Sequence, residues 1–420
     1  MIEKIDFWLM CLFFLCYAYQ VVYIVVSLFA KPEKPGKGIP HRIAVLIAAR
    51  NESAVLGNLL QSIHEQDYPK DLLDVFVVAD NCTDNTAAIA AENHAYVYER
   101  HSTTHVGKGY ALNFLLTQMD KEGKQYDAYL VLDADNLLSC DFVTEINRTF
   151  SSGYKIVTSY RNSKNFSDNW ISAGYGLWFL REARYLNHAR MKLGVSCAVS
   201  GTGFMFSREV LEECGGWHYY LLTEDIEFTV DNIIRGNKIG YSSRAVLYDE
   251  QPTSFAQSWR QRMRWSRGNM QVTWHYFRRL ASGMLHGSFS CFDIAMSVCP
   301  GVFLAALGII ANLADAVYNL VNRGSFRALA VSLLMMTLNL YLTFFVAGVI
   351  TTITEWKNIH CSPLKKLLYC FTFPIFMFTY LPIGVAAVFK NPQWKPIAHT
   401  RNLALHQIGE QKQLKAKKGK

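Results

Sequence analysis

The sequence has few charged residues and no ordered arrangement of its cysteines. Of its 420 residues, 18% are charged and 51% are hydrophobic, a balance that excludes an intrinsically disordered chain. The ten cysteines show no paired C-x-x-C spacing, so neither a disulfide framework nor a zinc site is predicted. The clustered basic and aromatic residues of a nucleic-acid-binding module are also missing. We therefore expect no nucleic-acid partner and attribute the net charge of +8 mainly to a membrane surface.

Long hydrophobic runs account for the shortage of charge. Residues 7–30, 328–353 and 367–389 contain no charged side chain, and residues 294–321 contain one, Asp315. Each run is long enough to cross a hydrocarbon core of about 30 Å, which predicts a multi-pass membrane protein. The first run is too long for a signal-peptide core and no small-residue cleavage site follows it, so we interpret it as an uncleaved anchor.

The basic residues beside these runs predict the orientation of the chain. The lysine-rich flank at residues 31–37 places the following segment in the cytoplasm by the positive-inside rule. The last run is interrupted by Pro374, Pro382 and Gly384, and the tail after it is strongly basic. We therefore expect residues 367–389 to be broken, re-entrant or interfacial, with the tail on the cytoplasmic side.

These features divide the chain into five predicted segments. They are an N-terminal transmembrane helix with its linker, a cytoplasmic α/β domain, an interfacial helical region, a C-terminal membrane region of two to three helices, and a basic tail. Their bounds are 1–38, 39–256, 257–289, 290–390 and 391–420.

Within the second segment, short strand-like runs alternate with helical patterns. The four predicted strands cover residues 43–48, 74–79, 95–98 and 129–132. Strands that alternate with helices predict a parallel, doubly wound sheet with both faces covered. Ligands of such sheets bind at the carboxyl ends of the strands, and polar residues stand there after three of them: Arg50, Asp80 and Asp133.

The fourth predicted strand runs directly into Asp133-Ala134-Asp135. Residues two apart on an extended backbone point the same way, so both carboxylates can emerge together at the sheet edge. Paired oxygen donors suit a hard divalent cation, Mg²⁺ or Mn²⁺, that keeps positions open for phosphate oxygens. Taken alone, the tripeptide fits a surface turn at least as well.

Three further stretches carry candidate functional residues. Ser200-Gly201-Thr202-Gly203 either lets the backbone approach a ligand closely or forms a tight turn. Thr223-Glu224-Asp225 opens a helical pattern, where such residues commonly serve as an N-cap. A predicted helix at residues 257–277 places three side chains on one face, and this helix could instead lie at the membrane interface. The three side chains are those of Gln261, Arg264 and Trp265.

Together these residues resemble the membrane-embedded family 2 glycosyltransferases, which include the cellulose, chitin and hyaluronan synthases. The resemblance covers roughly residues 43–275 and rests on an ordered set of weak motifs that becomes specific as a series. In chain order the motifs are Ala49-Arg50-Asn51-Glu52, Asp80, Gly107-Lys108-Gly109, Asp133-Ala134-Asp135, Ser200-Gly201-Thr202-Gly203, Thr223-Glu224-Asp225 and Gln261-x-x-Arg264-Trp265. The fold that it implies is of the GT-A type, a mostly parallel sheet flanked by helices.

The resemblance implies a role for each residue of the donor side. Asp135, with Asp133, would hold Mg²⁺ or Mn²⁺ on the diphosphate of a UDP-sugar. Lys108 would approach the phosphates, and Arg264 would clamp the departing diphosphate. The uridine moiety would lie against the side chains at the first two strand ends, namely Arg50, Glu52 and Asp80.

On the acceptor side, Asp225 is the implied general base, with Glu224 beside it in the same catalytic motif. A single base without a covalent partner predicts inversion at the anomeric carbon. Trp265 would stack on the acceptor sugar, with Gln261 near it, and Gly201 would bring backbone close to the substrate. Residues 393–400 loosely resemble the gating segment that closes over the donor in cellulose synthases.

Three functions follow as alternatives. The leading one is a processive synthase of a β-linked glucan or N-acetylglucosamine polymer, which feeds the chain through its own membrane helices and works with possible accessory export subunits. The second is a non-processive enzyme that transfers one sugar to a lipid, as in the ceramide glucosyltransferase branch. The third, a catalytically inactive membrane scaffold, is disfavoured because every ionisable position of the motif set is intact. The first two place the protein in the cell membrane with its catalytic domain in the cytoplasm.

Overall fold

The computed structural model describes residues 11–12, 14–31, 36–298, 327–390, 401–405 and 407–408, and the single residues 8, 310, 314, 317, 318, 321, 392 and 399. Its first half alternates strands and helices as predicted, after an N-terminal helix and with a short 3₁₀ turn at Lys70–Leu72. The elements are α1 (Tyr19–Phe29), β1 (Ile43–Ala49), α2 (Leu56–His64), β2 (Leu73–Asp80), α3 (Thr86–Glu92), β3 (Tyr96–Arg100), α4 (Lys108–Lys121) and β4 (Ala128–Asp133).

The second half adds four strands and a set of longer helices. The elements up to the sheet's last strand are β5 (Leu137–Leu138), α5 (Phe142–Phe150), β6 (Ile156–Ser163), α6 (Trp170–Arg181), a π-helical turn (Glu182–Asn187), α7 (His188–Leu193), β7 (Phe204–Ser207), α8 (Arg208–Glu213), α9 (Glu224–Arg235) and β8 (Ile239–Asp249). The helices that follow are α10 (Phe255–Leu285), α11 (Phe289–Val298), α12 (Arg327–Thr354), α13 (Pro363–Phe378) and α14 (Tyr380–Phe389).

The eight strands form one mixed sheet in the order β3-β2-β1-β4-β7-β6-β8-β5. Strands β3, β2, β1 and β4 are parallel, as the alternation predicts, and their bounds lie within two residues of the predicted ones. The sheet is mostly parallel, as the resemblance implies, but the parallel pattern does not extend to β7, which runs antiparallel to both β4 and β6, or to β5, which runs antiparallel to β8. The Gly203 N–H donates to the Val131 carbonyl (2.9 Å), so β7 starts where β4 ends and must run back along it.

Helices cover both faces of the sheet because side chains alternate along each strand. Val45 and Ile47 of β1 belong to one buried cluster with α2 and α5, whereas Ala44 and Leu46 belong to the other with α4 and α6. The two clusters hold the carboxyl ends of β1, β2 and β4 at one edge, where the candidate site lies.

Within the described part of the chain, two helical segments are long and apolar enough to cross a membrane. They are Leu333–Thr354 (22 residues, mean hydropathy 2.0) and Pro363–Phe389 (27 residues, mean hydropathy 1.8). The second contains the run that we expected to be broken, and its interruption is limited to Thr379 between α13 and α14. The Arg262 guanidinium donates there to the Phe376 carbonyl (3.1 Å) and to Thr379 Oγ1 (2.7 Å). Beyond Val298, the predicted span at residues 294–321 lies almost wholly outside the described residues.

A buried ion pair attaches the N-terminal helix to this assembly. The Arg190 guanidinium binds Asp293 of α11 through Nε–Oδ2 (2.6 Å) and Nη2–Oδ1 (3.1 Å). The same carboxylate accepts hydrogen bonds from the hydroxyls of Tyr19 (2.8 Å) and Tyr23 (3.1 Å) of α1. Because both charges are buried and fully bonded, the contact fixes α1 against α7 and α11.

Candidate active site

A cavity of about 620 Å³ lies at the carboxyl ends of β1, β2 and β4. Every side chain that the sequence singles out as a site residue lines it, so the structure brings the whole predicted set together. These are Arg50, Glu52, Asp80, Lys108, Asp133, Asp135, Gly201, Glu224, Asp225, Gln261, Arg264 and Trp265. Their proposed roles remain predictions at this point, but their common location is a property of the fold.

Asp133 and Asp135 leave the end of β4 in different environments. The Asp133 side chain is 37% exposed, and its Oδ1 accepts a hydrogen bond from Lys108 Nζ (2.5 Å). Asp135 is buried, and its Oδ2 accepts the Glu250 N–H (2.8 Å). Burial alone would raise the pKa of Asp135, but the positive charges of His399 and Lys164 and this N–H outweigh it and lower the pKa. Asp135 therefore offers anionic oxygen atoms as ligands at the floor of the cavity.

Two carboxylates at this edge fit a hard divalent cation whose remaining ligands come from water and phosphate. Within the described residues, no group of three or more His, Cys, Asp or Glu side chains is arranged to hold a metal ion. Asp133 and Asp135 line the cavity together, and their role as metal ligands stays a prediction.

Lys108 is the first residue of α4. Its Nζ lies between Asp133 Oδ1 and the Gly201 carbonyl (2.8 Å). Burial would lower the pKa of Lys108, but Asp133, Glu224 and Asp225 outweigh it and raise the pKa, so the amine stays protonated. A Cβ on Gly109 would lie 2.0 Å from the Tyr219 carbonyl oxygen, which explains why glycine follows the lysine.

The loop at residues 200–203 connects the candidate metal site to the candidate base. The Gly201 carbonyl accepts a hydrogen bond from Lys108 Nζ, and the Gly201 N–H lowers the pKa of the Asp225 carboxyl group. Thr202 Oγ1 accepts the Asp133 N–H (2.9 Å). This glycine-rich stretch is a turn, with Gly201 at φ +77°, and it lines the cavity. Close approach of its backbone to a ligand stays a prediction.

Glu224 and Asp225 form the first turn of α9, beside Lys108. Burial raises the pKa of Asp225 against the N–H groups of Ile226 and Gly201 and the charge of Lys108. Burial and the Asp225 charge raise the pKa of Glu224 to about 7. Both adjacent carboxyl groups thus have raised pKa values, and a pKa of about 7, as at Glu224, lets a carboxyl group take up and release a proton near neutral pH. Thr223 precedes them, but its side chain makes no capping hydrogen bond.

Helix α10 presents Gln261, Arg264 and Trp265 to the cavity, as their spacing predicts. Arg264 Nη1 donates to the Leu222 carbonyl (3.1 Å), two residues before Glu224. The Trp265 ring packs edge-on against Phe179, with centroids 6.2 Å apart. Elsewhere on this long helix Trp274 is 90% exposed, so the helix combines a site face with an exposed aromatic that suits a membrane interface.

The opposite wall of the cavity carries the candidate nucleotide-binding residues. Asp80, at the end of β2, forms a buried ion pair with Arg100, which the sequence analysis did not identify. Glu52 binds His399 of the tail through Nδ1 (3.0 Å). Burial would lower the pKa of His399, but Asp135, Glu52 and Glu250 outweigh it and raise the pKa to about 10. His399 is therefore cationic beside the candidate metal site.

The tail prediction can be followed only in part. Of residues 393–400, which resemble a gating segment, His399 alone is described, and it lies in the cavity. Two residues on, the Arg401 N–H donates to Glu250 Oε2 (3.0 Å). The sequence contains no motif around His399 from which its position in the cavity could be predicted.

A second buried pair, Arg161 with Asp249, also escaped the sequence analysis. Arg161 Nε donates to Asp249 Oδ2 (2.5 Å), and Nη1 donates to the Ser200 carbonyl (3.0 Å). The pair joins β6 to β8 and supports the loop at residues 200–203. Its members are 88 residues apart and lie in the half of the sheet that the strand pattern did not predict.

Comparison with known proteins agrees with this geometry. The model of the family described as "Glycosyltransferase like family 2" matches residues 40–268, more than half of the chain. The chain is 30% identical over 243 residues to a beta-monoglucosyldiacylglycerol synthase of Synechocystis sp., covering 56% of this chain and 50% of that protein. It is 25% identical over 330 residues to a poly-beta-1,6-N-acetyl-D-glucosamine synthase of Staphylococcus epidermidis, with 76% of each chain covered. The chain thus spans about half the length of the first of these relatives.

Among solved structures, the mannosyltransferase PcManGT of Pyrobaculum calidifontis, in complex with GDP-Man and Mn²⁺, shares the fold. The TM-score is 0.59 at 18% sequence identity, over 92% of this chain and 99% of that one. The mixed sheet and the acidic cavity at its strand ends define a glycosyltransferase of the GT-A type. With the family match over residues 40–268, the chain belongs to glycosyltransferase family 2.

Proposed function

We propose that this protein is a membrane-embedded, inverting glycosyltransferase that extends a β-linked polysaccharide from a UDP-sugar. The observation that carries the proposal is that Asp133, Asp135, Asp225 and Trp265 line one cavity. The relative that makes an N-acetylglucosamine polymer, aligned over 76% of each chain, supports the polymer as the product. The two candidate spans support membrane embedding. The lysine-rich flank at residues 31–37 supports a cytoplasmic catalytic domain.

The donor would bind along the wall formed by Arg50, Glu52 and Asp80, with its diphosphate above the floor. Asp135 and Asp133 would hold Mg²⁺ or Mn²⁺, which neutralises charge on the diphosphate when it is bound. Lys108 and Arg264 line the same space as cations, and they would bind phosphate oxygens as the leaving group gains charge.

In the transfer step, Asp225 would accept the proton of the acceptor hydroxyl. The hydroxyl oxygen forms its bond to the anomeric carbon while the bond between that carbon and the phosphate oxygen breaks. The electron pair of the broken bond leaves with the diphosphate. Glu224, with a pKa of about 7, would share the proton with Asp225. Attack from the face opposite the diphosphate converts an α-linked donor into a β-linked product.

A second candidate is a lipid glycosyltransferase, which one specific observation favours. The cavity continues past Trp265 between apolar side chains of the helical segments, namely Ile294, Val298, Phe344 and Met377. This apolar wall could accommodate a lipid acceptor, and the relative named a glucosyldiacylglycerol synthase supports that alternative.

The test is to incubate the purified full chain, in nanodiscs, with a panel of UDP-sugars and Mg²⁺ or Mn²⁺. We expect one UDP-sugar to be consumed and an insoluble product to form that linkage-specific β-glycosidases digest. Recovery of a lipid with one or two sugars would identify the second candidate. Consumption of no UDP-sugar under either metal would contradict both.

A further inference from the structure

One helix forms the side of the cavity opposite the donor. Helix α6, the π-helical turn and α7 are continuous, and four side chains spaced by four residues line the cavity: Trp178, Glu182, Leu186 and Arg190. In an α-helix, residues four apart drift round the axis by about 40° at each step. The wider π turn reverses part of that drift, so the four side chains stay on one face.

Glu182, at the start of the π turn, is the one acid among these four residues. In the described part of the chain, its carboxylate receives a single, long hydrogen bond, from Ser200 Oγ to Oε2 (3.5 Å). Burial raises the pKa of Glu182 against the positive charges of Arg190 and Arg161, and the nearby Asp225 adds to this rise. Glu182 therefore places carboxylate oxygens in the cavity, with capacity to accept hydrogen bonds, within electrostatic range of the candidate base.

The cations on this side are already engaged by protein groups. Arg190 binds Asp293 and Arg161 binds Asp249. Arg181 Nη2 donates to Gln20 Oε1 (3.1 Å). An acceptor that carried a phosphate beside Glu182 would therefore meet a carboxylate, with none of these three guanidinium groups released to compensate. A hydroxyl compound has donors that these carboxylates can accept.

Aromatic rings complete the same space. Trp265 and Phe179 line it with their rings steeply inclined (73°), and Trp178 and Tyr380 line it further along, with ring centroids 6.2 Å apart. Flat apolar faces beside hydrogen-bond acceptors match a pyranose ring, which has apolar faces and hydroxyls at its edges.

We propose that Glu182 is an acceptor-positioning residue of an uncharged saccharide subsite, in which it accepts hydrogen bonds from hydroxyls of the terminal sugar of the growing chain. The subsite discriminates against phosphorylated acceptors. This inference rests on the proposed function and names the chemistry of its acceptor.

The test compares the wild-type chain with E182Q, using short β-linked oligosaccharides of the accepted sugar. In E182Q the KM for the oligosaccharide should rise about tenfold or more, because the sugar hydroxyls lose a hydrogen bond to a charged carboxylate. The kcat and the KM for the UDP-sugar should change little. E182D keeps the charge, but its shorter side chain holds the carboxylate further from the cavity, so this variant should also raise the KM for the oligosaccharide. E145Q is the matched control, since Glu145 is a buried acid that pairs with Arg148 away from the cavity.

A binding experiment keeps the test independent of turnover. With UDP bound, calorimetry should show weaker oligosaccharide affinity in E182Q than in wild type and E145Q, and the phosphorylated oligosaccharide should bind worst to all three. Equal affinity in E182Q and wild type, no oligosaccharide binding to wild type, or preference for the phosphorylated form would overturn the subsite. Absence of UDP-sugar turnover in wild type would instead overturn the proposed function.

Discussion

The two halves of the cavity are built differently. The donor half consists of residues that directly follow β1, β2 and β4, such as Asp80 and Asp133. The acceptor half is held by ion pairs between distant segments, Arg161 with Asp249 and Arg190 with Asp293, and by helices that pack on the sheet. The donor half therefore depends mainly on local sequence, with the contact of Glu52 and His399 as an exception. The acceptor half depends on tertiary structure, and the two halves should respond differently to substitution.

The largest effect should come from the group placed between the halves. Asp225→Asn should lower kcat by about 10²- to 10⁴-fold, the usual contribution of a general base, because the amide cannot take the acceptor proton. UDP affinity should remain, since the donor wall is unchanged. Turnover and UDP binding measured on the same preparation check this.

The control for that variant is Asp120→Asn, which removes an exposed carboxylate on α4. It should retain wild-type turnover. Near-normal turnover in Asp225→Asn would remove Asp225 as the base, and loss of UDP binding would indicate damage to the donor half instead.

The second-largest effect should be a loss of stability on breaking the buried ion pair of the acceptor half. Asp249→Asn leaves Arg161 buried without its partner charge, which should lower the free energy of unfolding by about 3–5 kcal/mol. Denaturant unfolding of the purified chain measures it. Because the pair supports the loop at residues 200–203, the KM for the acceptor should also rise.

The surface pair of Lys155 with Glu209 provides the contrast, since exposed pairs contribute little. Lys155→Gln should leave the unfolding midpoint nearly unchanged. Equal midpoints for Asp249→Asn and Lys155→Gln would show that the acceptor half does not depend on its buried pair.

The smallest effect concerns pH and the first turn of α9. The folded state raises the pKa of Glu224 to about 7, above its ordinary value of 4.5, so the folded chain binds this proton more tightly than the unfolded chain. Stability from this group is therefore present below its ordinary pKa and is lost as pH rises towards 7. Glu224→Gln should stabilise the protein at pH 8 and much less at pH 5.

Thermal unfolding of wild type and Glu224→Gln at both pH values tests this. A variant that is equally stabilised at pH 5 and pH 8, or destabilised at pH 8, would contradict a raised pKa at this position.

The same contrast explains what could be predicted from the sequence. Strand periodicity located β1 to β4, and the rule that ligands bind at strand ends then located Asp80, Asp133 and Asp135. The spacing on α10 placed Arg264 and Trp265 on one face. These signals are local, because each depends on residues within one or two turns or strands.

The other features of the fold and the site depend on contacts between distant residues, which no local sequence pattern predicts. β7 takes its direction from pairing with β4 and β6, strands that are far from it in the sequence, and Arg161 meets Asp249 across 88 residues of chain. His399 reaches Glu52 from the tail, 347 residues away. The π turn that orients Glu182 follows an uninterrupted helical pattern and has no turn residue to mark it.

The central claim is that one base, Asp225, drives an inverting transfer in this cavity. It is tested most directly by the anomeric configuration of the first sugar that the wild-type chain transfers from an α-linked UDP-sugar carrying ¹³C at the anomeric carbon, determined by NMR. The account predicts a β-linked product. An α-linked product would contradict it.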